Sequence, residues 1–118
     1  MRILVVDDDQ AIAELIGRFL VHEGFEVLLA FDALQAMAIL DDEPLGAVIT
    51  DLMMPYIDGR ALIRRIRSDP RNSAIPVILI TAFYDDALVD GVMRDGASLF
   101  LPKPVDLRML AALLKFAR

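Results

Sequence analysis

Ile3-Leu4-Val5-Val6-Asp7-Asp8-Asp9 decides how the chain reads: four apolar residues without alternation, then three aspartates. An apolar run this short and this continuous suits a strand covered on both faces, the kind found at the centre of a parallel sheet. It is too short for a secretory core or a membrane span, so no leader or membrane segment is expected in it. Four further runs of the same kind follow at residues 27–30, 47–50, 77–80 and 99–101.

Helical spacing fills the gaps. Residues 10–23 place Ile12, Leu15, Ile16, Phe19 and Leu20 on one side, with Gly24 as a stop. Asp32 and Asp58 are expected N-caps for helices over 33–40 and 59–68, the latter with Leu62, Ile63 and Ile66 inward. A fourth helix covers 86–95, ahead of Gly96. A fifth begins near Asp106, with Leu107, Leu110, Leu113 and Leu114 on one face. Met37, Met93 and Met109 read as packing residues, His22 as a surface residue and Asp9 as the cap of the first helix. Gly91 inside the fourth helix costs about 1 kcal/mol relative to alanine. We expect it to make this helix deliberately soft.

Strand and helix alternate five times, which predicts an α/β protein with a parallel sheet, right-handed crossovers and helices on both faces. The 118 residues are expected to form one domain over 1–118. A net charge of −6 argues against a nucleic-acid surface, and the absence of cysteine excludes thiolate metal sites and disulfides. The expected setting is cytoplasmic.

In open parallel sheets, ligands bind beyond the carboxyl ends of the strands. There the sequence places Asp7, Asp8 and Asp9 after the first strand, Asp51 after the third, Thr81 after the fourth and Lys103 after the fifth. Two carboxylates about 4 Å apart repel by roughly 4 kcal/mol at an effective dielectric of about 20. Gathering Asp7, Asp8 and Asp51 therefore calls for positive charge. Lys103 supplies one unit, and an all-oxygen donor set suits Mg²⁺ or Mn²⁺ better than zinc. A carboxylate beside such an ion is a competent nucleophile towards phosphorus, with Thr81 and Lys103 available for the phosphoryl oxygens.

Val5-Val6-Asp7-Asp8-Asp9, Asp51-Leu52-Met53-Met54-Pro55, Ile80-Thr81-Ala82 and Pro102-Lys103-Pro104 together resemble the signatures of response-regulator receiver domains of two-component signalling. The resemblance covers essentially the whole chain. It implies a flavodoxin-like (βα)5 fold with strand order 2-1-3-4-5, and a protein that is not a conventional enzyme but catalyses its own phosphorylation and slow dephosphorylation. It implies that Asp7, Asp8, Asp51 and the backbone carbonyl of Met53 hold the metal. Asp51 would take the phosphoryl group from a phosphohistidine on a sensor histidine kinase or histidine phosphotransfer protein. Thr81 and Lys103 would contact that group, Phe100 would switch with Thr81, and Lys103-Pro104 would be cis.

The expected readout surface is the fourth helix, fifth strand and fifth helix, where Met109, Ala112 and Phe116 lie off the main apolar face. It would serve an effector, a fused output domain or a homodimer, while the first helix would meet the kinase. Phe83 is expected to limit water's approach to the phosphate, and Tyr56 stands where relatives often have glycine.

A haloacid-dehalogenase-type phosphatase would want Asp-x-Asp-Gly-Thr after the first strand, but Gln10-Ala11 follow Asp9. A flavin module would want a phosphate-cradling loop there, which three aspartates oppose. A degenerate docking module would not need the full set of Asp51, Thr81 and Lys103.

Overall fold

Five strands and five helices alternate along the chain in the computed structural model, which describes residues 1–54, 58–82 and 85–116. The strands are β1 (Arg2–Val6), β2 (Glu26–Ala30), β3 (Ala47–Asp51), β4 (Val77–Thr81) and β5 (Leu99–Pro102). They form one parallel sheet of order β2-β1-β3-β4-β5. Each strand is one residue longer than its apolar run, because the ladder carries on into the flanking polar or proline residue. The helices are α1 (Gln10–His22), α2 (Ala33–Asp42), α3 (Gly59–Ser68), α4 (Asp86–Asp95) and α5 (Leu107–Phe116).

Alternation along the strands sorts the core into two layers. Leu4, Val6, Val48, Val77 and Leu79 face α2, α3 and α4, where Ala36, Leu62, Ile63, Ile66 and Val92 meet them. Ile3, Val5, Ile49, Ile78 and Ile80 face α1 and α5, packing on Ala13, Ile16, Leu20, Leu110 and Leu114. Because β1, β3 and β4 are buried on both faces, hydrophobic burial at roughly 25 cal/mol per Å² acts on nearly every strand side chain.

The inward stripe of α1 is offset from the one expected. Ala13, Ile16, Gly17 and Leu20 are buried, whereas Leu15 is 57% exposed. Small residues win here because the helix lies close to β2: a Cβ on Gly17 would come within 3.0 Å of the Leu29 side chain. Met37 packs on the core as expected. Met93 and Met109 do not; both are exposed, being turned away from the sheet by their helices. His22 is exposed at the end of α1.

All five helices open on an aspartate. The carboxylates of Asp9, Asp32, Asp58, Asp85 and Asp106 accept from the backbone N–H of Ile12, Gln35, Ala61, Leu88 and Met109, at 2.7–3.2 Å. Each satisfies an N–H that the helix leaves unpaired and complements the positive end of its dipole. α4 ends at Gly96, whose φ of +119° is left-handed and closes the helix as few other residues could.

Arg67 at the end of α3 holds the opposite edge of this layer together. Its guanidinium donates to the carbonyls of Ile75 (2.6 Å), Gly96 (2.8 Å) and Asn72 (3.3 Å), and to Ser98 Oγ (3.2 Å). Replacing it with alanine leaves these acceptors without their donor. We expect Arg67→Ala to lower unfolding free energy by about 1–3 kcal/mol in urea titrations. Arg67→Lys should recover less than half of that, since one ammonium cannot reproduce the fork.

Candidate functional site

The carboxyl ends of β1, β3 and β5 bring Asp7, Asp51 and Lys103 together. Asp7 directly follows β1 and is fully buried, its N–H donating to the Ala30 carbonyl of β2 at 3.1 Å. Asp51 ends β3 and is 6% exposed. Lys103, just beyond β5, reaches between them: its Nζ donates to Asp51 Oδ2 at 2.9 Å and Asp7 Oδ2 at 3.0 Å. The Lys103 N–H also donates to the Thr81 carbonyl at 2.9 Å, which ties the lysine's backbone to the end of β4. Its bond to Pro104 is cis.

The remaining carboxylate oxygens are also engaged. Asp7 Oδ1 accepts from the Asp9 N–H at 2.9 Å and Asp51 Oδ1 from the Met53 N–H at 3.3 Å. Asp9 turns its own carboxylate to α1 as a cap and stands outside the cluster. Asp8 is exposed. One oxygen from each of Asp7, Asp8 and Asp51 lies within 4.8 Å of the other two. Among the described residues, three carboxylates face the single ammonium of Lys103, which leaves two negative charges uncompensated when all three are ionised. Hard oxygen donors and a residual charge of that size fit a divalent cation of the magnesium or calcium kind. The acidic triad is thus consistent with a receiver-type metal site.

Burial raises the Asp7 carboxyl above its ordinary value of 3.8; the Asp9 N–H and the Lys103 ammonium oppose this, and the Asp51 charge adds to it. Burial alone would pull the Lys103 ammonium down. Its hydrogen bonds to Asp51 and Asp7, and their charges, outweigh burial and hold it above the ordinary lysine value.

Thr81 is buried at the end of β4, 2% exposed. Phe100 is half-buried on the α2–α3–α4 side of the sheet, whereas Leu99 and Leu101 face α1 and α5, as strand alternation requires. The Met53 side chain is exposed. Tyr56 and Phe83 lie outside the described residues. One contact at the site was not anticipated. Gly59, the first residue of α3, sits against the Asp51 backbone: a Cβ there would lie 2.6 Å from the Asp51 carbonyl oxygen and 2.8 Å from Leu52 Cα. Its N–H donates to the Leu52 carbonyl at 2.8 Å. The clue in the sequence was a glycine directly after a cap, where alanine favours the helix.

Comparison with known proteins agrees with this geometry. Residues 3–115 match the response regulator receiver domain family. The chain is 38% identical over 114 residues to response regulator MprA of Mycobacterium avium, covering 95% of this chain and 48% of that protein. It is 41% identical over 113 residues to response regulator PleD of Caulobacter vibrioides, covering 94% and 24% respectively. It therefore spans half or less of the length of these relatives. Among solved structures, the receiver domain of Francisella response regulator 1452 superposes with a TM-score of 0.89 at 28% identity, covering 98% of this chain and 94% of that one. A CheY-like receiver domain protein from Methanospirillum hungatei gives 0.91 at 28% identity, covering 98% and 90%. With the family matched over almost all its length and the acidic pocket where that fold places its ligands, the chain belongs to the response regulator receiver domain family.

Proposed function

We propose that this domain accepts a phosphoryl group on the carboxylate of Asp51, taken from a phosphohistidine of a sensor kinase or histidine phosphotransfer protein. The observation that carries the reading is the Lys103 ammonium held within 3.0 Å of both Asp51 and Asp7 at the carboxyl edge of the sheet. A receiver domain is not a conventional enzyme, and its family implies a kinase as partner.

In the proposed step, an Asp51 carboxylate oxygen forms a bond to phosphorus as the P–N bond to the donor imidazole breaks. The imidazole nitrogen keeps the electron pair and takes up a proton. Lys103 turns its ammonium to a phosphoryl oxygen, and the Thr81 hydroxyl serves another. Mg²⁺, or Mn²⁺, held by Asp7, Asp8, Asp51 and the Met53 carbonyl, would neutralise charge on the phosphoryl oxygens when bound. Thr81 and Phe100 form the proposed switch, read out on α4, β5 and α5. Met109 and Phe116 are exposed there, the latter at 93%. That face would serve an effector, an output domain or a second copy. An apolar depression of about 380 Å³ lined by Ile12, Leu15, Ile16, Pro104 and Leu107 beside Lys103 favours α1 as the side that meets the kinase.

Acetyl phosphate with Mg²⁺ should add one phosphoryl mass to the parent and none to Asp51→Asn. Lys103→Ala should slow labelling by about 10²-fold. Labelled Asp51→Asn, or steady turnover of a generic phosphomonoester, would instead favour a phosphatase.

The site's electrostatics give a second test. A carboxyl whose folded pKa is raised binds more protons folded than unfolded, so its contribution to stability falls as pH rises from 3.8 through the folded value. In metal-free buffer, Asp7→Asn should gain stability relative to the parent over that window and hold the gain above it. Mg²⁺ should raise the melting temperature of the parent but not of Asp7→Asn. A pH-independent difference between the two proteins would rule out this account of Asp7.

A further inference from the structure

Gly91 stands in the middle of α4, and the space its side chain would fill is taken. A Cβ there would lie 3.0, 3.1 and 3.2 Å from Nη2, Cζ and Nη1 of Arg60. Three such similar distances mean that the guanidinium lies broadside against the helix. Arg60 Nε donates to Asp95 Oδ2 at 2.6 Å, and Arg64 Nη1 donates to the same oxygen at 3.2 Å. Asp95 is four residues after Gly91, so notch and anchor share one face of α4. The pair is partly shielded, with side chains 37% and 15% exposed for Arg60 and Asp95.

The other end of this contact leads to the backbone of Asp51 and Leu52, the start of the phosphoacceptor loop. Gly59, the neighbour of Arg60, is the residue pressed against the Asp51 carbonyl and Leu52 Cα. The first turn of α3 therefore touches the Asp51 peptide on one side and grips α4 on the other. α4 also starts close to the site in sequence, its cap Asp85 following Thr81 by four residues.

We propose that Arg60, seated in the notch at Gly91 and anchored on Asp95, is a positioning residue that clasps α4 to the phosphoacceptor loop and holds the helix in its resting place. The proposal rests on the receiver reading. Drawing Thr81 towards a phosphoryl group on Asp51 pulls on the start of α4, and the clasp resists at its end. Whatever resists the shifted state weakens binding of the group that favours it, and releasing the clasp strengthens that binding. Gly91 in this view is a seat for a guanidinium, beyond any softening of the helix.

The test uses beryllofluoride with Mg²⁺ as a phosphoryl mimic, titrated calorimetrically into the parent, Arg60→Gln, Arg60→Lys, Gly91→Ala and the Arg60→Gln/Gly91→Ala double variant. A partly exposed clasp of this size should give about two- to fivefold tighter binding in Arg60→Gln and in Gly91→Ala. The double variant should bind no tighter than either single one, and Arg60→Lys should fall between Arg60→Gln and the parent. Thermal melting reads the seat separately. Alanine at 91 should lower the melting temperature or leave it unchanged when Arg60 is present, and raise it in the Arg60→Gln background. A rise of equal size in both backgrounds would overturn the seat. Binding that is unchanged in Arg60→Gln while the parent binds would overturn the clasp. A parent that does not take beryllofluoride would overturn the receiver reading, and the coupling with it, whatever the melting curves show.

Discussion

One ammonium between two carboxylates organises the site. Lys103 directly follows the last strand and Asp7 the first, and Asp51 ends the third, so the contact fixes the relative position of three strand ends. Neither aspartate would be stable as a buried anion alone, since the desolvation cost of an unpaired charge is several kcal/mol. The lysine makes burial tolerable but leaves two negative charges unmatched. That incompleteness is consistent with a receiver-type site for a divalent cation.

The rest of the fold can be seen as support for that contact. Two apolar layers hold β1, β3 and β4 between helices, so their carboxyl ends stay in register. Asp7, Asp51 and Thr81 are then carried to the rim by the last residues of strands whose interiors contain almost nothing polar. Thr50, buried in β3, is an exception, and its hydroxyl donates to the Asp51 carbonyl at 2.9 Å.

Much of this was legible in the sequence because its causes are local. A strand buried on both faces must be apolar throughout, so Ile3 to Val6 and Val77 to Ile80 announce themselves. Aspartate caps announce helix starts, and polar residues placed just after apolar runs announce a strand-end site. The orientation of α1 was less legible. Apolar periodicity favoured Leu15 as an inward residue, but Gly17 and Ala13 let the helix approach the sheet, and closeness decided the face. The reach of Arg67 and the clasp of Arg60 were not legible at all. Each joins groups about thirty residues apart whose meeting depends on how far α3 stands from its neighbours.

The five aspartate caps have a consequence beyond holding helix starts. In a parallel sheet of this kind every helix begins at the same rim, so the caps surround the three site aspartates with further negative charge. Each helix dipole offsets part of its cap's charge, so the rim keeps only the remainder as an acidic bias. A cationic surface is drawn to that rim and an anionic one is slowed, with the difference shrinking as salt shortens the screening length. Helix starts built for local stability thus also add to the acidic character of the rim.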